Sequence, residues 1–399
     1  MQEPFEEKCS FFSALFFSPF QTVIMRSMKR RIFLSAPAAG GLLAFQSIAA
    51  GGDSRVYGYG DGIPRSPAEY AALLNDLAGS DSVQADEYSL GGSVEKLETA
   101  IAAALGKETA VWLPTGTLAN HMAVRMLAGA KRRVLLQAES HLYRDCGDCA
   151  QTLSSLHLVP LATGKATFSL DDVERASSDS MLGRVATPIG AIQIETPVRR
   201  RMGEAFDFEE MKRISAWAKA RQIGMHLDGA RLFIESIYTG RAVRDYSALF
   251  DTVYVSMYKY FNAGSGAILA GPKALLADAY HMRRMFGGGL AHSWPYAAVA
   301  HHYVPRFGAD FLAARQASEK VLSALLKDES FAVERIPNGT NVFRLRVHSV
   351  NAPVYHLRLE EAGISVRDPE GDWFTLQVNA TWLRAPAEEI LARFRKALG

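Results

Sequence analysis

Short apolar runs alternate with segments of helical periodicity through most of the chain. The runs cover residues 109–113, 134–136, 156–161, 191–195, 224–227, 252–255 and 267–270, and the helical segments include 93–105 and 208–220. Near-continuous apolar strands separated by helices are typical of a parallel sheet with helices on both faces. The pattern therefore predicts an α/β fold, with ligand-binding residues just after the strands, at the carboxyl edge of the sheet.

The pattern changes near Pro305. A long helix is predicted over 308–326, strands over 341–347 and 374–378, and a final helix over 387–398. This order of elements indicates a second, smaller α+β unit. We therefore predict a large domain over residues 51–305 and a small C-terminal domain over residues 306–399.

The first fifty residues are typical of an export signal. Residues 28–50 begin Met-Lys-Arg-Arg-Ile-Phe-Leu and continue in an Ala/Gly/Leu-rich stretch with a small-residue cleavage site, which indicates a twin-arginine signal peptide. An ordinary secretory signal or a short N-terminal helix is the alternative. Residues 1–27 are an extended leader or a non-native, overextended reading frame. The expected location is therefore periplasmic or otherwise exported, with a cytoplasmic location as the alternative.

Composition and charge limit the classes of molecule that this protein is expected to bind. The chain has 399 residues, 48% of them hydrophobic and 22% charged, enough to build a large core. The first fifty residues carry five of the 44 Lys and Arg and three of the 42 Asp and Glu, which leaves 39 of each sign. Because the charges of residues 51–399 balance, this part of the chain lacks the excess positive charge that favours binding to nucleic acid or anionic lipid. No stretch beyond residue 50 is apolar enough to span a bilayer. The expected partner is a small-molecule substrate, with no nucleic acid and, after signal removal, no membrane.

Cys146 and Cys149 form a Cys-Gly-Asp-Cys motif. If Cys9 is removed with the signal, these two are the cysteines that remain. A disulfide, a redox pair and two unlinked thiols all fit this spacing. A zinc site needs two further ligands, and none stands at a suitable spacing. We assign the pair no catalytic role.

Thr115, Gly116 and Thr117 follow the first apolar run and open a helix. Backbone N–H groups and hydroxyls at the positive end of a helix bind phosphate. The same residue types also form an ordinary helix cap, which is the alternative. This turn is therefore a candidate phosphate site.

Asp228 ends a later apolar run and is followed by Gly229, Ala230 and Arg231. Burial of an ionised carboxylate is costly without a cationic partner. Arg231 is one candidate partner. The other is the protonated nitrogen of a pyridine ring, which the small residues at 229 and 230 allow to approach the backbone.

Lys259 follows another apolar run, 31 residues after Asp228, and Ser256, directly after that run, is a predicted cofactor contact. A lysine at this edge supplies a nucleophilic amine to the cleft, whereas a surface lysine with a buried stem is the alternative. A phosphate turn, an acid for a ring nitrogen and an amine for an aldehyde are together the contacts that pyridoxal phosphate (PLP) needs. The sequence therefore predicts PLP as the cofactor.

In this order the three motifs resemble those of fold type I PLP enzymes. The run His-Leu-Asp-Gly-Ala-Arg-Leu-Phe from His226 resembles the threonine aldolase branch of the aromatic amino acid β-eliminating lyase/threonine aldolase family, over residues 60–300. The resemblance implies a large domain with a mostly parallel sheet between helices and a smaller C-terminal domain. It also implies a homodimer or homotetramer with active sites at an interface.

The resemblance implies roles for single residues as well. His141 stands where the family has a histidine stacked on the cofactor ring, and Arg231 where an arginine binds the substrate carboxylate. Tyr88 corresponds to a tyrosine that reaches the active site. Glu195 opens the segment equivalent to the family's Glu-Asn-Thr-His, and residues 287–289 match a triple glycine near the subunit interface.

The chain departs from the family pattern in four places. Val198 replaces a second active-site histidine, and Ala291 replaces an arginine that helps to bind phosphate in a neighbouring subunit. Residues 60–62 and 91–92 replace the usual Arg-Ser-Asp and Asp-Pro. Thr375 stands where a C-terminal carboxylate-binding arginine is expected, and the candidate replacements are Arg367, Arg344 and Arg346.

The implied activity is that of a PLP-dependent lyase that cleaves β-hydroxy-α-amino acids to glycine and an aldehyde, as threonine aldolases do. Lys259 exchanges for the substrate amine, Asp228 keeps the ring nitrogen protonated, and Arg231 contacts the carboxylate. His141 accepts the β-hydroxyl proton, with a capping or core role as the alternative. The absent second histidine keeps β-elimination and racemisation open, and a non-catalytic protein that has kept the fold is a further alternative.

Overall fold

The computed structural model describes residues 53–79 and 82–399. Its strands are β1 (Val56–Tyr57), β2 (Thr109–Leu113), β3 (Arg133–Gln137), β4 (His157–Leu161), β5 (Ile189–Glu195), β6 (Gly224–Asp228), β7 (Thr252–Ser256), β8 (Ala267–Gly271), β9 (Phe331–Arg335), β10 (Val342–Val347), β11 (Ile364–Ser365) and β12 (Trp373–Gln377). The predicted export signal and the segment before it lie outside the described residues.

The α-helices connect these strands. They are α1 (Pro67–Ala78), α2 (Gly92–Leu105), α3 (Gly116–Ala128), α4 (His141–Arg144), α5 (Cys149–Ser154), α6 (Leu170–Asp179), α7 (Phe208–Ala220), α8 (Leu232–Thr239), α9 (Val243–Ser247), α10 (Ala279–Met285), α11 (Trp294–Tyr303), α12 (Phe307–Leu325), α13 (Ala352–Glu361) and α14 (Ala387–Lys396). Among the described residues, none of these helices has the length and apolar character needed to cross a bilayer.

Seven strands form the central sheet, in the order β2-β8-β7-β6-β5-β3-β4. β8 is antiparallel to both of its neighbours, and the other pairs are parallel. Every residue of β5 and of β7 is buried, so both faces of these strands are covered. These features confirm the predicted α/β fold with a mostly parallel sheet.

The direction of the strands decides where the polar residues meet. β2, β3, β5, β6 and β7 run the same way, so their carboxyl ends lie at one edge of the sheet. In register, Glu195 at the end of β5 pairs with Asp228 at the end of β6, and Asp228 pairs with Tyr254 of β7. The edge therefore brings together residues that are far apart in the chain.

The C-terminal part contains an antiparallel sheet in the order β12-β10-β9. Its core joins β10, β12, α13 and α14 through buried residues that include Leu345, Tyr355, Phe374, Trp382 and Phe394. β1 pairs in parallel with β11, and Val56 is buried in this same core. Val56 belongs to the range 51–305 that the sequence predicts as the large domain, yet it packs in the C-terminal core.

Candidate active site

A cavity of about 510 Å³ lies at the carboxyl edge of the central sheet. Seven of the nine predicted site residues line it: Thr115, Gly116, Thr117, His141, Asp228, Arg231 and Lys259. The wall also contains Glu195, Arg199, Tyr254, Tyr258, Gly264 and Ser265. The cavity therefore unites the three motifs that the sequence analysis identified separately.

The Thr-Gly-Thr turn forms one end of the cavity. Thr115 precedes α3, and its Oγ1 accepts a hydrogen bond from the N–H of Leu118 at 3.2 Å. Thr115 therefore caps the amino-terminal end of the helix. A Cβ on Gly116 would lie 2.0 Å from Tyr254 Oη, so a larger residue does not fit there. Ser265 donates to the carbonyl of Pro114 at 2.7 Å and ties the turn to the loop after Lys259. Gly116 and Thr117 begin α3 and line the cavity, and the first N–H groups of a helix have no partner inside the helix.

Asp228 lies deep in the cavity and is 1% exposed. Its Oδ2 accepts from Asn120 Nδ2 at 2.6 Å, and its Oδ1 accepts from the N–H of Ala230 at 3.2 Å. No cationic side chain within residues 53–79 and 82–399 forms an ion pair with it. Arg231, the alternative partner predicted from the sequence, pairs instead with Asp61.

A chain of hydrogen bonds extends behind Asp228. Asn120 Oδ1 lies 2.9 Å from His226 Nε2, and His226 Nδ1 lies 2.9 Å from Thr252 Oγ1. Burial lowers the pKa of His226 to about 3, so the ring is neutral at ordinary pH. Because Asn120 donates to Asp228, its oxygen accepts from Nε2–H, and Nδ1 accepts from the threonine hydroxyl. Each polar group in this chain is thus satisfied and the Asp228 carboxylate is held in one orientation.

Lys259 enters the cavity from the loop after β7. Its Nζ lies 3.0 Å from Tyr258 Oη and 3.5 Å from Ser256 Oγ, and it sits 4.5 Å from the centre of the Tyr258 ring. Ser256 is fully buried beneath the lysine and does not line the cavity. The lysine is half-buried and belongs to the cavity wall.

His141 begins the short helix α4. Its backbone N–H donates to Glu195 Oε2 at 2.6 Å, and its Nδ1 lies 3.2 Å from Cys146 Sγ. The hydrogen bond with Cys146 raises the pKa of His141, and the nearby Asp228 carboxylate acts in the same direction. Burial, together with the neighbouring Asp228, raises the pKa of Glu195 to about 7. Glu195 also accepts from the N–H of Arg199 at 2.9 Å, so it fixes the backbone on both sides of the cavity.

Arg231 forms a bidentate pair with Asp61. Its Nε lies 2.9 Å and its Nη2 2.8 Å from Asp61 Oδ2. Burial opposes the charge, but Asp61 raises the pKa of Arg231 above its ordinary value. Asp61 belongs to the Gly-Asp-Gly segment that replaces the family's Arg-Ser-Asp, and its contact with Arg231 was not anticipated from the sequence.

An adjoining cavity of about 250 Å³ shares Arg231 and Arg199 with the first. Thr375 and Arg367 line it, whereas the other two candidate replacements do not. Arg344 pairs with Glu334 at 2.8 Å and stacks over Trp373, and Arg346 lies over the same ring. Of the three arginines proposed from the sequence, Arg367 is therefore the one placed near Arg231.

Two further predicted positions lie elsewhere. Tyr88 does not line the cavity; its ring is 40% exposed and lies 4.6 Å from the Arg284 guanidinium carbon. Val198, in place of the second histidine, is fully buried in the fold. Within this single chain, neither position supplies a polar group to the cavity.

The residues present fit PLP. A buried carboxylate without a cationic partner among the described residues suits a protonated pyridine nitrogen, and Lys259 supplies the amine for an aldehyde. The positive end of α3 suits the phosphate. Gly229 is not part of the cavity wall; a Cβ there would lie 3.0 Å from the Tyr254 carbonyl oxygen, so the glycine serves the packing of the end of β6 against β7.

Comparisons with known proteins agree with this site. The profile of the beta-eliminating lyase family matches residues 70–353. A candidate low-specificity L-threonine aldolase of Schizosaccharomyces pombe is 25% identical over 305 residues, which cover 75% of this chain and 77% of that protein. Alanine racemase TOXG of Cochliobolus carbonum is 29% identical over 234 residues, 58% of this chain and 57% of the racemase, so that match spans less than two thirds of its length.

A solved structure agrees as well. A candidate L-allo-threonine aldolase of Listeria monocytogenes superposes with a TM-score of 0.70 at 26% identity, over 88% of this chain and 98% of that one. The comparisons confirm the resemblance to the threonine aldolase branch. The chain belongs to the beta-eliminating lyase family of PLP enzymes, with the fold type I architecture.

Proposed function

We propose that this protein is a PLP-dependent lyase that cleaves β-hydroxy-α-amino acids between Cα and Cβ, giving glycine and an aldehyde. The observation that carries the proposal is the convergence of Lys259, Asp228 and His141 on one cavity. The aldolase relatives from Schizosaccharomyces pombe and Listeria monocytogenes support the substrate class.

Each side chain has a task that its geometry supports. When bound, PLP supplies an electron sink for the carbanion left by C–C cleavage. Asp228 holds a proton on the ring nitrogen, and Asn120 keeps its carboxylate aimed there. Lys259 Nζ supplies the amine that binds the cofactor and later moves protons at Cα. His141, held by Glu195 and Cys146, faces the cavity as acceptor of the β-hydroxyl proton.

Arg231 anchors the substrate carboxylate in this proposal. Its bonds to Asp61 use Nε and Nη2, so Nη1 is the nitrogen that meets the substrate. Arg367 lies in the adjoining cavity and adds positive charge on the same side. Arginine suits this task because it stays charged at ordinary pH and Nη1 carries two N–H donors.

A panel of amino acids tests the proposal. The purified protein is incubated with PLP and with threonine, allo-threonine, β-phenylserine, cysteine or L-alanine. We expect glycine and an aldehyde from at least one β-hydroxy substrate. Aldehyde from none of them would rule out the proposed reaction.

Racemisation is the second candidate function, for two reasons. One relative is named an alanine racemase, and Val198 leaves the described cavity without the second histidine. Racemisation needs proton movement at Cα but no proton acceptor for a β-hydroxyl group. Formation of D-alanine from L-alanine, without aldehyde from the hydroxy amino acids, favours it.

Export and assembly remain proposals. The twin-arginine motif supports removal of residues 28–50 and a periplasmic location; recovery of the full-length chain from the cytosolic fraction contradicts this.

The family resemblance supports a homodimer or homotetramer, which light scattering measures directly. We also propose two domains, with the seven-stranded sheet in residues 51–305 and the three-stranded sheet in residues 306–399. Limited proteolysis near residue 305 tests this division.

A further inference from the structure

The Cys146 thiol connects two walls of the active-site cavity. Its Sγ lies 3.2 Å from His141 Nδ1 and 3.5 Å from Thr117 Oγ1. His141 and Thr117 both line the cavity, one beside the expected cofactor ring and the other in the phosphate turn. A chemical change at this sulfur therefore reaches two groups that face the cofactor.

The second thiol is close enough to bond to the first. Gly147 and Asp148 have φ values of 57° and 53°, and the N–H of Cys149 donates to the carbonyl of Cys146 at 3.2 Å. The ends of such a four-residue turn lie within about 7 Å of each other, and disulfides join Cα atoms separated by about 4.4–6.8 Å. The backbone thus presents the pair in a shape that a disulfide can adopt.

The two thiols are also accessible to solvent, and their pKa values are shifted in opposite directions. Both cysteines are half-buried, and the two residues between them are exposed, so a small reagent in solution reaches the turn. The neighbouring Cys146 thiol lowers the pKa of Cys149, which makes Cys149 the better attacking thiolate. The neighbouring Cys149, together with burial, raises the pKa of Cys146.

We propose that Cys146 and Cys149 are a redox-active dithiol that controls His141, and that small-molecule disulfides oxidise it. The Cys149 thiolate attacks the reagent, forms a mixed disulfide and releases one thiol. Cys146 then loses its proton and attacks the Cys149 sulfur, which forms the Cys146–Cys149 bond and releases the second thiol. Two electrons pass to the reagent, and the two protons end on the released thiols.

Oxidation of the two thiols removes the contact through which Cys146 holds the His141 ring. In the disulfide the Cys146 sulfur bonds to Cys149 and turns toward it, so the 3.2 Å contact with His141 Nδ1 is lost. The imidazole then loses the hydrogen bond that fixes its orientation and tautomer. The expected loss of turnover rests on the proposed function, because it assumes that His141 handles the substrate proton.

The test uses the full-length holoenzyme in reduced form and after treatment with oxidised glutathione. The full chain has three cysteines. We expect oxidation to remove the thiols of Cys146 and Cys149, with a disulfide-linked peptide that joins these two residues in a monomeric protein. Turnover falls on the order of 10²-fold, the size typical of a misplaced acid–base group. The absorption spectrum of the bound cofactor changes as well, and dithiothreitol restores both properties.

Cys149→Ser is the matched control. It keeps the Cys146 thiol beside His141, so we expect the turnover of the parent protein and resistance to the oxidant. Three results would overturn the proposal: no internal disulfide under oxidation, a disulfide without change in turnover or spectrum, or equal inactivation of Cys149→Ser. If the reduced enzyme releases no aldehyde, the proposed function fails, while the thiol count and the cofactor spectrum still decide the redox proposal.

Discussion

Lys259→Ala is expected to abolish covalent retention of PLP and to lower turnover by roughly 10²- to 10⁴-fold or more. Among the described residues, Lys259 is the lysine that lines the cavity, and its Nζ has Tyr258 and Ser256 as near neighbours. Alanine removes the amine and leaves the surrounding strands in place. Borohydride reduction followed by digestion and mass spectrometry checks the result, since it fixes the cofactor on Lys259 in the parent protein.

Lys273→Ala is the matched control for this experiment. Lys273 is exposed after β8, and its contact with Glu108 runs through the backbone N–H, which the substitution keeps. We expect this variant to bind PLP and turn over as the parent does. Reduced cofactor found on another lysine of the Lys259→Ala protein contradicts the assignment.

Asp228→Asn is expected to lower turnover on the order of 10²- to 10³-fold while PLP still attaches to Lys259. The amide has nearly the shape of the carboxylate but no negative charge, so the ring nitrogen loses the partner that keeps it protonated. Steady-state kinetics measures the loss, and borohydride reduction confirms attachment. Turnover equal to that of the parent would show that the charge of Asp228 has no part in the chemistry.

Asn120→Ala distinguishes the effect of the Asp228 charge from the effect of its orientation. It keeps the Asp228 charge but removes the 2.6 Å hydrogen bond that aims it. We expect a smaller loss of turnover, about tenfold, because one hydrogen bond to a charged group is worth at the lower end about 1.5 kcal/mol and the N–H of Ala230 still holds the carboxylate. The variant also leaves His226 Nε2 without its acceptor, so thermal unfolding shows a lower stability than in the parent. A loss as large as that of Asp228→Asn means that Asn120 does more than orient the carboxylate.

Much of the central sheet is predictable because most residues of its inner strands are buried. The run at 252–255 corresponds to Thr252–Ser256, in which every residue is buried, and 109–113 corresponds to Thr109–Leu113. The motifs after these strands followed from the rule that parallel strands present their carboxyl ends together. β9 was not predicted, since Phe331 is its one buried residue and the strand lacks a clear apolar run.

The interior contacts of the site were harder to predict, because they join distant parts of the chain. Arg231 pairs with Asp61, 170 residues away, and no local pattern distinguishes that carboxylate from its neighbours. Asn120 lies within α3, where an amide has no special spacing, and it meets Asp228 only when α3 packs on β6. His226 belonged to the recognised run, yet its link to Asn120 depends on the same packing. Sequence identifies chemical groups at strand ends, whereas their partners depend on the tertiary structure.

The pairing of β1 with β11 has a consequence for biosynthesis. Arg55 also bonds to Glu360, 305 residues further along, so the beginning of the described chain finds its neighbours only after most of the polypeptide has been made. On the ribosome, Val56 must remain exposed to water until the partner strand emerges. A translation product that stops before Ile364 lacks β11, so β1 has no partner strand. We expect quality-control proteases to cleave such fragments first near their amino-terminal ends.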